Sequence, residues 1–200
     1  KMIEVAAQAN PNIVVVLLCG SVVECPWTDK VKAILYMGLP GQAGGEAIAD
    51  LLYGRAIPGG KLAESWPYRY EDVPSSGIYG KTTDALYQEG VYVGYRYYDK
   101  AGVPVRWPFG YGLSYTEFSY SDLTVEGDTV SVTVRNSGKR TGAEVVQMYL
   151  AAPQDGLHRP VRELKGFQKV YLQPGESETV QFTLTRRYFA VWQEGWKVPG

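Results

Sequence analysis

Carboxylates are the groups in this sequence best able to do acid–base chemistry: there are 21 Asp and Glu, against one His and two Cys. Their spacing limits what they can do. Glu46 and Asp50 stand four residues apart, on one face of any helix that carries them. Like charges at that spacing oppose each other by roughly 0.2–0.5 kcal/mol, an ordinary cost on a wet surface. Glu46 would also occupy a first helical turn, where the helix dipole favours an anion. Glu89 lies among tyrosines, where burial would raise its pKa. The role expected of it is structural, bonded to backbone N–H groups. A nucleophilic triad in its common form takes His as the base. The single histidine, His158, falls in Asp155-Gly156-Leu157-His158-Arg159-Pro160, a loop where a solvated residue is expected.

The other reactive types add little. Cys19 and Cys25 have neither C-x-x-C nor zinc-ligand spacing. Two free, mostly buried thiols are expected, with a disulfide between them as the alternative. One His and no cysteine cluster give no metal site, since such sites need several converging ligands. Gly41-Gln42-Ala43-Gly44-Gly45 ahead of a helix has the look of a phosphate cradle. It lacks both G-x-G-x-x-G spacing and the Walker Lys-Ser/Thr pair, so a tight strand-to-helix turn is the expected use. The residues by themselves therefore nominate no catalytic, cofactor-binding or metal-binding position.

The elements that would hold these residues are of two kinds. Met2 to Ala9 carries a helical apolar stripe, stopped by Asn10-Pro11-Asn12. Ile13 to Leu18 is a continuous β-branched run, as in a strand of a parallel sheet buried on both faces. Ala33 to Met37 is a second such strand. Glu46 to Tyr53 is a helix with Ile48, Leu51 and Leu52 on one face and Gly54 just past its end. Lys61 to Trp66 alternates like an edge strand. Three strands and two helices are too few to cover both faces of a parallel sheet, so further elements upstream are expected. Both ends look cut, and residues 1–67 alone should associate with another copy or with the missing half. With no start of the chain to read, the compartment stays open, with a lean to the cytoplasm.

Nine aromatics from Tyr87 to Tyr115 crowd one stretch. Each can remove about 150–250 Å² from water, so an ordered strap packed on a domain surface is expected, rather than a flexible linker. An aromatic sugar-binding platform is the alternative. From Phe118 the pattern is all-β. Val130, Val132 and Val134 alternate, as do Val180, Phe182 and Leu184. Ala143–Leu150 and Leu164–Leu172 read as long strands, with Asn/Gly/Pro turns between them, the marks of an Ig-like β-sandwich. Trp192-Gln193-Glu194-Gly195-Trp196 reads as a hairpin with a shortened return strand, and Val198-Pro199-Gly200 as a closing turn. A net charge of −1 gives no platform for nucleic acid. No apolar run approaches the ~18–20 residues that span a bilayer.

Four segments resemble the C-terminal region of glycoside hydrolase family 3, the β-glucosidase group. Asn10-Pro11-Asn12-Ile13-Val14-Val15-Val16 followed by Pro26-Trp27 is similar to its strand and loop. Leu39-Pro40-Gly41-Gln42-Ala43-Gly44-Gly45-Glu46-Ala47-Ile48-Ala49-Asp50 through Gly54 is similar to its "PGQEGG" signature, with Ala43 where Glu is common. Tyr87–Tyr98 and Trp107–Thr116 resemble its linker, and Arg159–Phe167 its fibronectin-III-like domain.

The resemblance implies an α/β fragment, the end of a mostly parallel α/β sandwich domain (1–86), then an aromatic linker (87–115) and a fibronectin-III-like β-sandwich (116–200). It implies a retaining glycosidase whose two carboxyl groups stand about 5–5.5 Å apart. In the family these come from an N-terminal barrel and from upstream of the "NPN" strand. Glu46, Glu64 and Glu89 are thus not expected to be catalytic. The implied partners are β-linked glucosides or oligosaccharides, through the whole enzyme, and the N-terminal catalytic domain. A homo-oligomer is a further expectation, and no cofactor is implied. A β-xylosidase or arabinosidase is the alternative within the family, and a non-catalytic carbohydrate-binding or adhesion module the alternative outside it. Arg96 is expected to stack or to pair with a carboxylate such as Glu89.

Overall fold

The computed structural model describes residues 1–81, 83–151, 153 and 156–198. Helix α1 (Met2–Ala9) ends at Asn10, whose extended backbone leaves the helical region. Strands β1 (Val14–Leu17) and β2 (Ala33–Tyr36) pair in parallel, from Val14↔Ala33 to Leu17↔Tyr36. Helix α2 (Gly44–Leu52) follows. At its end Gly54 N–H donates to the Leu51 carbonyl and Arg55 N–H to the Asp50 carbonyl, with Gly54 at φ 71°. This is a Schellman cap with glycine at the left-handed position.

Two expectations for this part need correction. The run at 13–18 is not buried on both faces: Val14 is 49% and Leu18 57% exposed. Strand β1 has β2 as its only strand neighbour among the described residues, so too little packs on it. Lys61–Trp66 is not an edge strand of this sheet either. Only β3 (Trp66–Pro67) is extended, and it pairs antiparallel with β4 (Val105–Trp107). The backbone of this stretch is taken by the aromatic segment instead: Leu62 N–H donates to the Tyr111 carbonyl, and Gly110 N–H to the Leu62 carbonyl.

The aromatic segment contains a helix that its sequence pattern did not suggest, α3 (Tyr95–Ala101). Glycines bracket it, Gly94 at φ 61° and Gly102 at φ 65°. Burial along the segment is uneven. Tyr98 is buried, and Tyr95, Tyr97, Trp107 and Phe109 are half-buried, but Tyr87 is 97% exposed. Packing begins where α3 meets the sandwich, and Tyr87 lies before that point.

The sandwich has two antiparallel sheets. One has the order β5 (Phe118–Glu126), β6 (Thr129–Asn136), β9 (Ser177–Thr183). The other pairs β7 (Gly142–Ala151) with β8 (Arg162–Leu172). Val134 and Val180 from the first sheet meet Val146, Val170 and Leu172 from the second, with Phe118, Val132 and Phe182 packed around them. Fully burying such a side chain contributes about 1.5–3 kcal/mol. The valines that alternate in the sequence are thus the residues that close the core. A hairpin of β10 (Val191–Trp192) and β11 (Trp196–Lys197) follows, with the two Trp rings edge-to-face at 5.5 Å. Pro199 and Gly200 of the expected closing turn lie outside the described residues.

Candidate functional site

The seam between strap and sandwich holds two clusters of paired charges, among them the buried Glu144. Lys61, just before β3, reaches β7: its Nζ lies 2.9 Å from Glu144 Oε2 and donates to the Gly112 carbonyl at 2.8 Å. Glu144 Oε1 accepts from the Tyr120 hydroxyl at 3.0 Å. Burial first, then the Glu144 carboxylate, pushes the Tyr120 phenol well above its usual range. Lys61 from the α/β part and Tyr120 from β5 thus share a single anion on β7. A neighbouring clasp joins α3 to β8. Arg162 Nε and its Nη2 donate to the two Asp99 carboxylate oxygens at 2.7 and 3.1 Å, a bidentate fork, which is the stronger geometry for such a pair. The Leu164 N–H donates to the Tyr95 hydroxyl at 2.8 Å.

Between these clasps lies a crevice of about 380 Å³. Tyr95 and Phe109 stack at 4.9 Å beside it, and Tyr149 meets Tyr95 edge-on at 6.0 Å. Gln147 of β7 donates through Nε2 to the Gly110 carbonyl at 3.0 Å and accepts through Oε1 from the Tyr149 hydroxyl at 2.7 Å. Gly110 has to be glycine here, because a Cβ would stand 2.1 Å from Gln147 Oε1 and its φ is 80°. A second, larger groove of about 820 Å³ is lined by residues between Pro74 and Tyr97, with Tyr79, Leu86 and Tyr87 exposed around it.

The acids singled out from the sequence are scattered. Glu46 is exposed in the first turn of α2, and Asp50 pairs with Arg55 at 3.1 Å. Glu64 is exposed, and Glu89 is half-buried on the rim of the second groove. The expected Arg96–Glu89 pair does not form. Arg96 lies 3.2 Å from Glu163 Oε1 and over the Tyr95 ring, because α3 faces β8. His158 is exposed, while Asp155 of its loop lies outside the described residues. Cys19 and Cys25 are free thiols. Cys25 is buried, and burial pushes it up. The glycines at 41–45 serve the turn: Gly41 has φ 68°, and a Cβ on Gly44 would stand 2.7 Å from Pro40 Cγ. Among the described residues no group of three or more His, Cys, Asp or Glu could hold a metal ion, and no helix is long and apolar enough to cross a membrane.

Sequence reasoning missed Lys61, Glu144, Tyr120 and Asp99. Each looks like an ordinary surface residue when read along the chain, and only the docking of the strap brings them together. Arg162 lay inside a segment already singled out, without a partner to name.

Residues 1–95 match the family model for the glycosyl hydrolase family 3 C-terminal domain, and residues 144–200 match the fibronectin type III-like domain. The chain is 49% identical over 199 residues to thermostable beta-glucosidase B of Acetivibrio thermocellus, a match covering 95% of this chain and 26% of that protein. It is 46% identical over 200 residues to exo-alpha-(1->6)-L-arabinopyranosidase of Bifidobacterium breve, covering 96% of this chain and 26% of that one. The structure of DesR, a beta-glucosidase from Streptomyces venezuelae in complex with D-glucose, superposes with a TM-score of 0.90 at 43% identity, over 98% of this chain and 27% of that one. The chain spans about a quarter of the length of the relatives it matches.

Proposed function

The chain belongs to glycoside hydrolase family 3, as the C-terminal region of such an enzyme, and we propose that it is the scaffold part of a retaining β-glucosidase that cleaves terminal β-linked sugars. The observation that carries this reading is the near-complete coverage of the chain, at 49% identity, by a beta-glucosidase. The reacting carboxylates come from outside these residues. In support, the least exposed acids at the seam are already engaged: Glu144 by Lys61, Asp99 by Arg162, and Glu163 by Arg96 and Lys165. A retaining site instead needs one carboxylate as nucleophile and one as acid/base. Residues 1–86 complete the α/β domain, 87–115 form the strap and 116–200 the sandwich. The start of β5 at Phe118 and the docking of α3 on β8 support that division.

Hydrolysis of p-nitrophenyl β-glucoside by this chain, beside the same chain extended upstream to enzyme length, tests the reading. Silence from the first and turnover by the second are expected. Turnover by the 200 residues alone, abolished by changing Glu46, Glu64 or Glu89, would overturn it. A second specificity is favoured by the arabinopyranosidase relative. The corresponding p-nitrophenyl α-L-arabinopyranoside, run in parallel on the extended protein, decides between them.

A further inference from the structure

We infer that the crevice between the strap and β7 is a binding site for one neutral, polyhydroxylated ring of monosaccharide size. Its volume, about 380 Å³, falls in the range of about 300–1,000 Å³ typical of small-molecule sites. Its charges select against ions. Lys61 and Arg162 line it together with Glu144 and Asp99, each cation paired with an anion at 2.9 or 2.7 Å. An anionic ligand would meet two carboxylates, and a cationic one would meet Lys61 and Arg162.

What these pairs leave over is a mixed set of donors and acceptors. Lys61 Nζ has three N–H bonds and commits two, to Glu144 and to the Gly112 carbonyl. Gln147 Nε2 commits one N–H to the Gly110 carbonyl and keeps another. Ser65 Oγ accepts from Phe109 N–H, which leaves its own proton to donate. Tyr149 donates to Gln147 and keeps its lone pairs. Hydroxyl groups, each both donor and acceptor, suit such a set. The Tyr95 and Phe109 rings, stacked on each other, and Tyr149 line the crevice as well and set apolar ring edges beside these polar groups. The polar groups are also held in place, because Gln147 and Tyr149 sit on β7 and bond to each other, which lowers the ordering cost of binding.

The inference does not depend on the proposed activity. Binding is read on this chain alone, and hydrolysis only on the extended protein. The test is a titration of the isotope-labelled chain with D-glucose, following the Gln147 side-chain amide and the Gly110 amide by NMR. Saturable shifts of both, with half-saturation in the millimolar range, are expected, and inorganic phosphate and spermidine should leave them unmoved. Val145→Phe fills the crevice from β7 without removing a hydrogen bond, and should weaken binding by at least about tenfold. If that variant fails to fold, Tyr149→Phe, which removes one hydroxyl, should weaken binding while keeping the ring contact. No saturable shift with glucose, equal shifts with the ions, or undiminished binding in a folded variant would each overturn the assignment.

Discussion

Replacing Asn136 should remove more stability than any other single change to a polar side chain in the sandwich. The residue is fully buried, at the end of β6. Its Oδ1 accepts from the Thr116 hydroxyl at 2.8 Å and from Gly138 N–H at 3.1 Å, and its Nδ2 donates to the Arg140 carbonyl at 2.7 Å and the Leu172 carbonyl at 2.9 Å. One side chain thus ties the first sheet to β8 of the second and to the turn between β6 and β7. A hydrogen bond contributes about 0.5–1.5 kcal/mol net, and a buried group stripped of its partner costs about 1–3 kcal/mol. With some of the four groups regaining water, Asn136→Ala should cost about 3–5 kcal/mol, against a total of about 5–15 for a typical domain. Urea denaturation followed by tryptophan fluorescence measures it. Thr116→Val should cost about 1 kcal/mol on its own and little more on top of Asn136→Ala, because its partner is already gone. Asn136→Asp sets a carboxyl against two carbonyl oxygens, which raises its folded pKa. Its deficit should therefore be smallest in acid and grow as the pH rises past about 4, the value of an unfolded Asp. A loss below about 1 kcal/mol for Asn136→Ala, or strict additivity with Thr116→Val, would refute the reasoning.

Four further outcomes follow from the seam and the turns. Glu144→Ala leaves Lys61 and the Tyr120 hydroxyl without their shared partner and should cost about 2–4 kcal/mol, slightly less than a fully buried pair; limited proteolysis should then cut the strap between Tyr87 and Tyr115 faster than in the parent. The Tyr120 phenol, with its pKa raised by burial and by Glu144, contributes stability that is present below the unfolded tyrosine value of about 10 and lost as the pH rises above it. Denaturation midpoints from neutral to strongly alkaline pH should fall less steeply in Tyr120→Phe. Gly138→Ala places a Cβ 2.2 Å from Thr116 Oγ1 and 2.7 Å from the Glu117 nitrogen, and should lower the melting temperature through a loss of about 1–3 kcal/mol. Arg96→Ala breaks a partly exposed, single-contact pair and should cost less than about 1 kcal/mol, whereas Arg162→Ala loses a bidentate fork and a stack on Tyr149 and should unfold at clearly lower urea.

The sandwich was the most legible part of the sequence, because period-two valines such as Val130, Val132 and Val134 can only mean one buried face. The Schellman glycine at 54 and the Trp192–Trp196 hairpin are local signals of the same kind. Asn136 stands in one of the Asn/Gly/Pro turns that separate the strands. Its turn exists, but its side chain works inward, and nothing in a local window distinguishes an asparagine that caps a turn from one that bolts two sheets. The seam was illegible for a related reason. Lys61 and Glu144 are 83 residues apart in the numbering, and each reads as a solvated charge until β7 and the strap are set side by side. The two-stranded α/β piece misled in the other direction. An apolar run such as 13–18 carries the burial of a whole sheet in its composition, and this stretch of chain supplies only part of the cover.

The backbone ladder between residues 62–67 and 105–111 has a consequence for the history of such chains. It forms a neck, closed by Leu62 with Gly110 and Tyr111 and by Trp66 opposite Trp107, and α3 is pinned to β8 just beyond it. The stretch 68–94 therefore leaves one fixed point and returns to another. Doubling the length of such an excursion costs only about 0.6 kcal/mol in closure entropy, while a one-residue change inside the neck would shift every pairing on which the sandwich is seated. Insertions and deletions can accumulate between Tyr68 and Leu86 without moving the sandwich, so homologues should vary in length there and stay rigid in spacing on either side.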